Sequence, residues 1–286
     1  MTITITTSNV NGIRAAKRKG IEQWAAKNTP DVWCMQEVRA PQNEIDPIFD
    51  EFGFEYATAG RIADQSGLDR MNEICRIKGR AGVGLLSALP VIDKRYGLPG
   101  LAEDVDSGRW IEADVKTPQG YTVTVVCVYV HAGNTDDPEK MKQKYRFLDT
   151  MLVRMGQLRD EAAHGGKQAV LCGDFNIAHT PLDIKNAKAN EKHAGFLPKE
   201  RAYVDKWLGE LEFVDVMRSL CGDIQGPYTW WSQRGRAFDN NVGWRIDYQF
   251  ATPELAETAR GFVIGKAPTY DLRWSDHAPL SITYDV

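Results

Sequence analysis

Two short polar motifs place acid–base residues beside apolar, strand-like segments. Gly173-Asp174-Phe175-Asn176 follows the run from Ala169 to Cys172, and Ser275-Asp276-His277 precedes the run from Leu280 to Tyr284. The first motif sets an Asp two residues from an Asn, and the second sets a His directly after an Asp. Such groups can bind an anionic phosphodiester and deprotonate a water that attacks phosphorus.

Four further polar residues stand at the ends of other strand-like runs, namely Asn9, Glu37, Tyr129 and Asp247. Any one of these positions also fits ordinary turn chemistry, because Asp and Asn side chains favour turns. Together with the two motifs, however, their types match the needs of a metal-dependent phosphoesterase. We therefore predict that they meet in one site.

A divalent cation would neutralise the charge of a phosphodiester, and Mg²⁺ is usually held by one or two carboxylates with waters and substrate oxygens. Glu37 is the predicted ligand, since a long carboxylate can reach out from a strand end. Asn9 and Asp276 are predicted to assist it directly or through water. The cation would be Mg²⁺ or Mn²⁺.

The remaining polar residues suit roles at the phosphate and at the attacking water. Asp174 is predicted to activate the water, with Asn176 positioning either that carboxylate or the phosphate. A protonated His277 would donate to a phosphate oxygen, and Asp247 would fix its tautomer and favour its charged form. Tyr129 would donate to the developing oxyanion.

The elements that must position these residues alternate along the chain. Runs rich in β-branched and aromatic residues predict strands at 2–6, 31–37, 82–89, 110–115, 121–130, 169–172, 246–250 and 280–284. Amphipathic spacing predicts helices at about 20–27, 138–163 and 199–211. In the second helix, Met141, Leu148 and Met155 are among the residues of the apolar face. Its polar face is predicted to carry Lys142, Lys144, Arg146, Arg154 and Arg159.

Both halves of the chain mix strands with helices, so the simplest way to bury their apolar faces is two sheets packed together with helices outside. The fold class predicted from this pattern is α/β. Because the candidate site residues come from both halves, residues 1–286 are predicted to form a single domain. Nothing in the sequence requires more than a monomer.

Bulk properties set further bounds. The chain has 286 residues, of which 43% are hydrophobic, and its odd count of five cysteines does not suggest a disulfide framework. It contains no apolar run of the ~20 residues that cross a membrane, and its N-terminus does not resemble a signal peptide. The cytoplasm is therefore the expected location.

The net charge of −4 does not by itself suggest a nucleic-acid partner. Basic residues are nevertheless clustered, at 14–19, 76–80, 140–146 and 234–236. Each cluster fits either a solvated surface or part of a basic rim around an acidic, metal-binding centre. The sequence alone leaves both interpretations open.

Five motifs, in order along essentially the whole chain, resemble those of the exonuclease III family of AP endonucleases. That family lies within the endonuclease/exonuclease/phosphatase superfamily. Gly-Asp-Phe-Asn and Ser-Asp-His mark only the superfamily, whereas the stretch from Tyr228 to Asp247 is more typical of the DNA-repair branch. The motifs are Thr7 to Ala15, Met35-Gln36-Glu37, Gly173 to Asn176, Gly243 to Tyr248 and Ser275 to Pro279.

The resemblance implies a four-layer α/β/β/α sandwich with two packed mixed β-sheets, and it agrees with the roles given above. It implies that Trp230, Trp231 and Trp244 border a pocket for a flipped-out baseless sugar, although core packing is the alternative for each tryptophan. It also implies DNA-backbone contacts by Arg109 and by the basic segment that contains Lys78 and Arg80. The implied partner is duplex DNA with abasic sites or 3′ ends.

Two departures from the family pattern concern the surroundings of the site. After Tyr129 the chain reads Val130-His131-Ala132-Gly133-Asn134, where bacterial members have a proline and a polar amide. One phosphate contact is then either lost or supplied by His131 or Asn134. The stretch from Ile62 to Cys75 resembles an insertion that would reshape a DNA-contacting loop.

Three functions remain open at this point. The first is a metal-dependent repair nuclease that cuts 5′ to abasic sites, with 3′-to-5′ exonuclease and 3′-end-cleaning activity. The second is a phosphodiesterase or phosphatase of the same superfamily that acts on non-DNA substrates. The third is a non-catalytic nucleic-acid-binding regulator, which the full set of site residues disfavours.

Overall fold

The computed structural model describes residues 1–40, 42–50, 55–58, 81–101 and 108–286. The strands are β1 (Thr2–Asn9), β2 (Val32–Gln36), β3 (Glu55–Thr58), β4 (Gly84–Ser87), β5 (Val91–Tyr96), β6 (Trp110–Lys116), β7 (Thr122–Tyr129), β8 (Gln168–Asp174), β9 (Val214–Asp215), β10 (Trp230–Trp231), β11 (Gly243–Trp244), β12 (Asp247–Ala251), β13 (Ala259–Ile264) and β14 (Leu280–Asp285). The helices are α1 (Ile13–Arg18), α2 (Ile21–Asn28), α3 (Gln42–Asp50), α4 (Pro138–Ala163), α5 (Ala187–Asn190), α6 (Pro198–Gly209), α7 (Val216–Cys221) and α8 (Pro253–Ala256). Pro181–Asp183 and Tyr270–Leu272 form short 3₁₀ turns.

Two mixed sheets of six strands form the centre of the protein. Their orders are β13-β14-β1-β2-β4-β3 and β5-β6-β7-β8-β12-β9. The inner faces pack on each other through β1, β2 and β4 on one side and β6, β7, β8 and β12 on the other. This arrangement confirms the predicted α/β sandwich of two mixed sheets.

Small and β-branched residues fill the space between the sheets, and helices cover both outer faces. Cys34, Cys127 and Cys172 lie in the inner layer as buried free thiols. Helices α1 and α2 pack on the first sheet around Trp33, and α4 and α6 pack on the second around Trp207. These helices are the outer two of the four layers.

Every strand and helix predicted from the sequence has a counterpart, but one detail of α4 was wrong. Lys144, predicted on the polar face, is completely buried. It lies three residues after Met141 and four before Leu148, so helical spacing places it on their side of the helix. Its charge is accommodated there by Glu200, which is also buried.

Strand register brings the polar strand ends together at one edge of the sandwich. In the parallel pair β1–β2, Asn9 lies opposite Gln36, the residue before Glu37. In the second sheet, Asp174 lies between Tyr129 on parallel β7 and Asp247 on antiparallel β12. None of the described helices has both the length and the apolar character needed to cross a lipid bilayer.

The glycine of the Gly-Asp-Phe-Asn motif is required by close packing of neighbouring strands. A Cβ built on Gly173 would lie 1.9 Å from the carbonyl oxygen of Val128, within the backbone of β7. Backbone atoms of a central strand cannot move aside as a flexible side chain can. The residue before the predicted base therefore has to be glycine.

We expect Gly173→Ala to lower the free energy of unfolding by about 3 kcal/mol, the scale of a forced overlap in a packed interior. Gly209→Ala is the matched control, because nothing lies within 4 Å of a Cβ at that position near the end of α6. Urea denaturation of both variants tests this expectation. Equal stabilities of the two variants would contradict it.

Candidate active site

A buried Asp–His–Asp group forms the floor of the site. His277 Nδ1 lies 2.9 Å from Asp247 Oδ2, and His277 Nε2 lies 3.8 Å from Asp174 Oδ2. Thr229 Oγ1 accepts a hydrogen bond from the backbone N–H of Asp247 at 3.1 Å, and Ser275 Oγ accepts one from that of His277 at 3.2 Å. The imidazole is therefore held between two carboxylates of the second sheet.

The electrostatics of this group follow from its burial and its charges. Burial lowers the pKa of His277, but the carboxylates of Asp247 and Asp174 outweigh that effect and raise it from 6.5 to about 10. Burial and the charge of Asp247 raise the pKa of Asp174 from 3.8 to about 7, against the opposing effect of His277. At neutral pH the site thus holds an imidazolium beside a carboxyl group whose pKa lies close to neutrality.

The side-chain amide of Asn9 links this group to the first sheet. Its Nδ2 donates to Glu37 Oε1 at 2.8 Å and to Asp174 Oδ2 at 2.9 Å, and its Oδ1 accepts from the N–H of Asn11 at 3.0 Å. Asn176 approaches Asp174 from the other side, with its backbone N–H donating to Asp174 Oδ1 at 2.9 Å. Both amides therefore orient the predicted base.

Asp276, which precedes β14 of the first sheet, is a further carboxylate of the site. Its Oδ1 accepts from Asn11 Nδ2 at 2.7 Å, and its Oδ2 accepts from Trp230 Nε1 at 3.1 Å. Burial raises the pKa of Asp276, but the charge of His277 and these two hydrogen bonds lower it below 3.8 overall. Asp276 is consequently an anion across the neutral range.

Glu37 directs its carboxylate into the same cavity from a left-handed backbone conformation, with φ of 52°. Its Oε2 is paired with Arg39, which also has a positive φ and which the sequence analysis did not select. Tyr129 lies nearby, and its pKa is raised above 10 by burial and by the carboxylates of Glu37 and Asp174. Tyr129 therefore keeps the phenolic proton that its predicted role requires.

These side chains surround a cavity of about 340 Å³, with indole rings on one wall. Trp230 and Trp244 meet edge to face, with ring centroids 5.8 Å apart, and both line the cavity. Trp231 does not line it. That residue is 2% exposed, packs on Phe238 and donates from Nε1 to Asn241, so core packing describes it better than a DNA-facing role.

Carboxylate and amide oxygens are among the groups that line the cavity. Such oxygens are suitable ligands for a hard divalent cation. Glu37 and Asp276 contribute from the first sheet. Asp174, Asp247 and His277 form a second group whose ligand atoms lie within 4.8 Å of one another. A cation at Glu37 and Asp276 would leave the pair of His277 with Asp247 intact.

Comparison with known proteins bears on the class of this site. The model of the Endonuclease/Exonuclease/phosphatase family matches residues 6–277. The chain belongs to this family. That membership agrees with the convergence of its acidic residues, His277 and Tyr129 in one cavity.

Individual members of the family resemble the chain over almost its full length. The exodeoxyribonuclease of Bacillus subtilis (strain 168) is 29% identical, with 97% of this chain and 98% of that protein covered. The DNA repair nuclease APEX1 of Danio rerio is 31% identical, with 97% and 81% covered. An AP endonuclease structure from Archaeoglobus fulgidus superposes with a TM-score of 0.82 at 30% identity, covering 99% and 100% of the two chains.

The protein has a second cavity, of about 280 Å³, next to the first. Glu37 and Tyr129 line both cavities. The cationic side chains of Arg39, Arg109 and Lys140 line it, together with His131. The Arg109 guanidinium lies 4.9 Å from the centroid of the Tyr129 ring. Lys140 is thus the residue of the basic 140–146 cluster that lines this cavity.

His131, one of the residues that depart from the family pattern, lies in the wall of this second cavity. Burial, together with the charges of Arg109 and Lys144, lowers its pKa to about 3. A neutral imidazole there cannot supply a positive charge to a phosphate, although it can still donate one hydrogen bond. Lys78, Arg80 and the 62–75 stretch lie outside the described residues.

Replacing Asp247 with Asn is expected to lower the pKa of His277 by removing the largest charge that raises it. In the unaltered protein this pairing adds stability that is fully present below pH 6.5 and is lost as the pH rises through about 10. NMR titration of the imidazole Cε1–H resonance measures the pKa. His277→Gln assigns the resonance, and His179→Gln is the control, because His179 pairs with Asp205 and not with Asp247. An unchanged His277 pKa in Asp247→Asn would contradict the expectation.

Replacing Trp230 with Phe keeps an aromatic wall but removes the hydrogen bond to Asp276. We expect a lower affinity for Mn²⁺, by about fivefold, because Asp276 loses one of the two donors that orient it. Trp231→Phe is the matched control, since it alters the buried neighbour outside the cavity. Calorimetric titration with Mn²⁺ would contradict the expectation if both variants bound like the unaltered protein.

Proposed function

We propose that this protein is a metal-dependent DNA repair nuclease that hydrolyses the phosphodiester 5′ to abasic sites and leaves a 3′-hydroxyl. The observation that carries the proposal is the Asn9 amide, which bonds to Glu37 and Asp174 at once. It joins a carboxylate suited to a cation with a carboxylate suited to a base. Both face a cavity walled by Trp230 and Trp244.

Glu37 and Asp276 would hold Mg²⁺ or Mn²⁺, with Asn9 bonded to Glu37 and Asn11 bonded to Asp276. A cation bound there supplies charge that offsets the negative charge of the phosphate oxygens. Arg39 balances the charge of Glu37 in this structure, so the carboxylate is paired rather than buried alone. The other roles in the proposal fall to this chain's own side chains and to the water that attacks phosphorus.

Asp174 is placed to accept a proton from the attacking water, because its pKa of about 7 lies near the operating pH. His277 would donate a hydrogen bond from Nε2 to a phosphate oxygen while Asp247 keeps its ring charged. Asn176 and Tyr129 would contact the same phosphate. These roles are the same as those predicted from the sequence.

The substrate is the part of the proposal that depends on the cavity walls. A pocket bordered by Trp230 and Trp244 would take a flipped-out baseless sugar, whereas a paired nucleotide would have to leave the stack at greater cost. Arg109 and Lys140 stand beside the cavity, where they would neutralise backbone phosphates of duplex DNA. Binding is therefore expected to weaken as salt rises.

The names of related proteins support the same class of reaction. The relatives from Bacillus subtilis and Danio rerio are named as an exodeoxyribonuclease and a DNA repair nuclease. A Neisseria relative, solved with a product DNA hairpin, is named as a 3′ phosphatase, at 26% identity and a TM-score of 0.81. We accordingly include 3′-to-5′ exonuclease and 3′-end-cleaning activity in the proposal. We also propose that the protein is a monomer and that it lies in the cytoplasm.

The decisive test uses a duplex with one stable abasic analogue, incubated with Mg²⁺ or with a chelator. We expect a single cut on the 5′ side with a 3′-hydroxyl on the product, and no cut with the chelator. Asp174→Asn should lower kcat by about 10³, the scale of a lost general base. Cleavage of a soluble phosphodiester, with the abasic duplex left intact, would instead support a non-DNA phosphodiesterase.

Glu37→Gln tests the metal assignment separately. The change keeps the shape of the side chain but removes the charge, so the Mg²⁺ concentration for half-maximal activity should rise by about tenfold. Glu44→Gln is the matched control, since Glu44 pairs with Arg14 on the surface. An unchanged Mg²⁺ requirement in Glu37→Gln would place the cation elsewhere.

A further inference from the structure

A completely buried ion pair lies behind the wall of the active-site cavity. Lys144 of α4 and Glu200 of α6 have no exposed side-chain surface, and Lys144 Nζ lies 2.6 Å from Glu200 Oε1. Desolvation makes such pairs costly, and apolar replacements are often as stable. A contribution to stability is therefore a weak explanation for the presence of this buried pair.

The ammonium group of Lys144 donates two more hydrogen bonds, both to backbone carbonyls. The acceptors are Ala132 O at 3.1 Å and Asn176 O at 2.9 Å. Ala132 and Asn176 both line the catalytic cavity. The stem of Lys144 also packs against Gly133, where a Cβ would lie 3.2 Å from Lys144 Cδ.

The carboxylate of Glu200 makes the corresponding contacts on its own side. Its Oε2 accepts from the backbone N–H groups of Gly195 at 2.7 Å and Leu197 at 3.0 Å. Gly195 lines the cavity, and its φ of 93° is a conformation that favours glycine. Between them, the two side chains bond to three separate segments of the cavity wall.

The segment at Asn176 carries groups that contact the predicted base. Asn176 has a φ of 50°, in the left-handed region that asparagine adopts more readily than most other non-glycine residues. From this conformation its backbone N–H donates to Asp174 Oδ1, and its Nδ2 donates to Val130 O at 3.0 Å. A shift of this segment would therefore move a group that orients the predicted base.

We propose that Lys144 and Glu200 are positioning residues for catalysis, which set the cavity wall at Ala132, Asn176 and Gly195 through backbone hydrogen bonds. Neither side chain reaches the cavity, so neither touches the substrate. The proposal rests on the proposed nuclease function for its kinetic consequence. Its structural consequence can be measured without any substrate.

The test variant is the double substitution Lys144→Met with Glu200→Gln, which removes both charges together and leaves no unpaired buried ion. The matched control is Arg154→Met with Glu112→Gln. Arg154 lies on the same helix and bonds to the completely buried Glu112 at 2.6 Å. Neither control residue bonds to the cavity wall within the part of the chain that the structure describes.

On the abasic duplex, we expect the test variant to lose kcat by about 30-fold with KM changed by less than about threefold, as misplaced catalytic groups require. The control variant should keep its kcat within about twofold, whatever stability it loses. A kcat for the test variant no lower than that of the control would overturn the proposal. So would a loss confined to KM.

Hydrogen–deuterium exchange provides the readout that is independent of activity. Amides in segments 131–134, 175–177 and 194–197 should exchange about tenfold faster in the test variant and at unchanged rates in the control. Unchanged rates in the test variant would overturn the proposal even if the protein cut no DNA. If the double variant does not fold, Glu200→Gln alone is measured. The same segments are then expected to exchange faster. Unchanged rates would again overturn the proposal.

Discussion

The concentration of carboxylates at one end of the sandwich is the constraint on which the rest of the site depends. Asp174 and Asp247 are almost without solvent exposure, and Glu37 and Asp276 are close by. Like charges in a desolvated space repel strongly, so each must be balanced by a proton, a donor or a cation. The imidazolium of His277 and the amide of Asn9 supply part of that balance, and a divalent cation would supply more.

This requirement explains why the site draws on both sheets. One sheet contributes Asn9 and Glu37 at the ends of parallel strands, and the other contributes Asp174 and Asp247 from adjacent strands in register. Because the sheets pack face to face, the two edges are neighbours in space although their residues are far apart in the chain. The helices outside the sheets then hold the connecting segments, with Lys144 on the inner face of its helix.

Much of the fold was predictable from local pattern, because continuous apolar runs and 3.6-residue spacing follow directly from burial. The strands β3, β5, β9, β10, β11 and β13 were not predicted, nor were the helices α1, α3, α5, α7 and α8. In the case of β5, Asp93, Lys94 and Arg95 obscure the alternation, since an edge strand is half exposed and its charges form ion pairs such as Arg95 with Asp114. The buried position of Lys144 was missed because a charge was taken as a sign of exposure.

The sequence by itself determined the chemical types available, namely the carboxylates, the amides, the histidine and the glycine before Asp174, and the strand ends where they stand. Only the tertiary structure decided which of them meet. It placed Trp230 on the cavity wall and Trp231 in the core, paired Arg39 with Glu37, and gave Lys144 a buried partner. The physical reason is that side-chain direction along a strand is local, whereas desolvation and partner choice depend on elements that are distant in the chain.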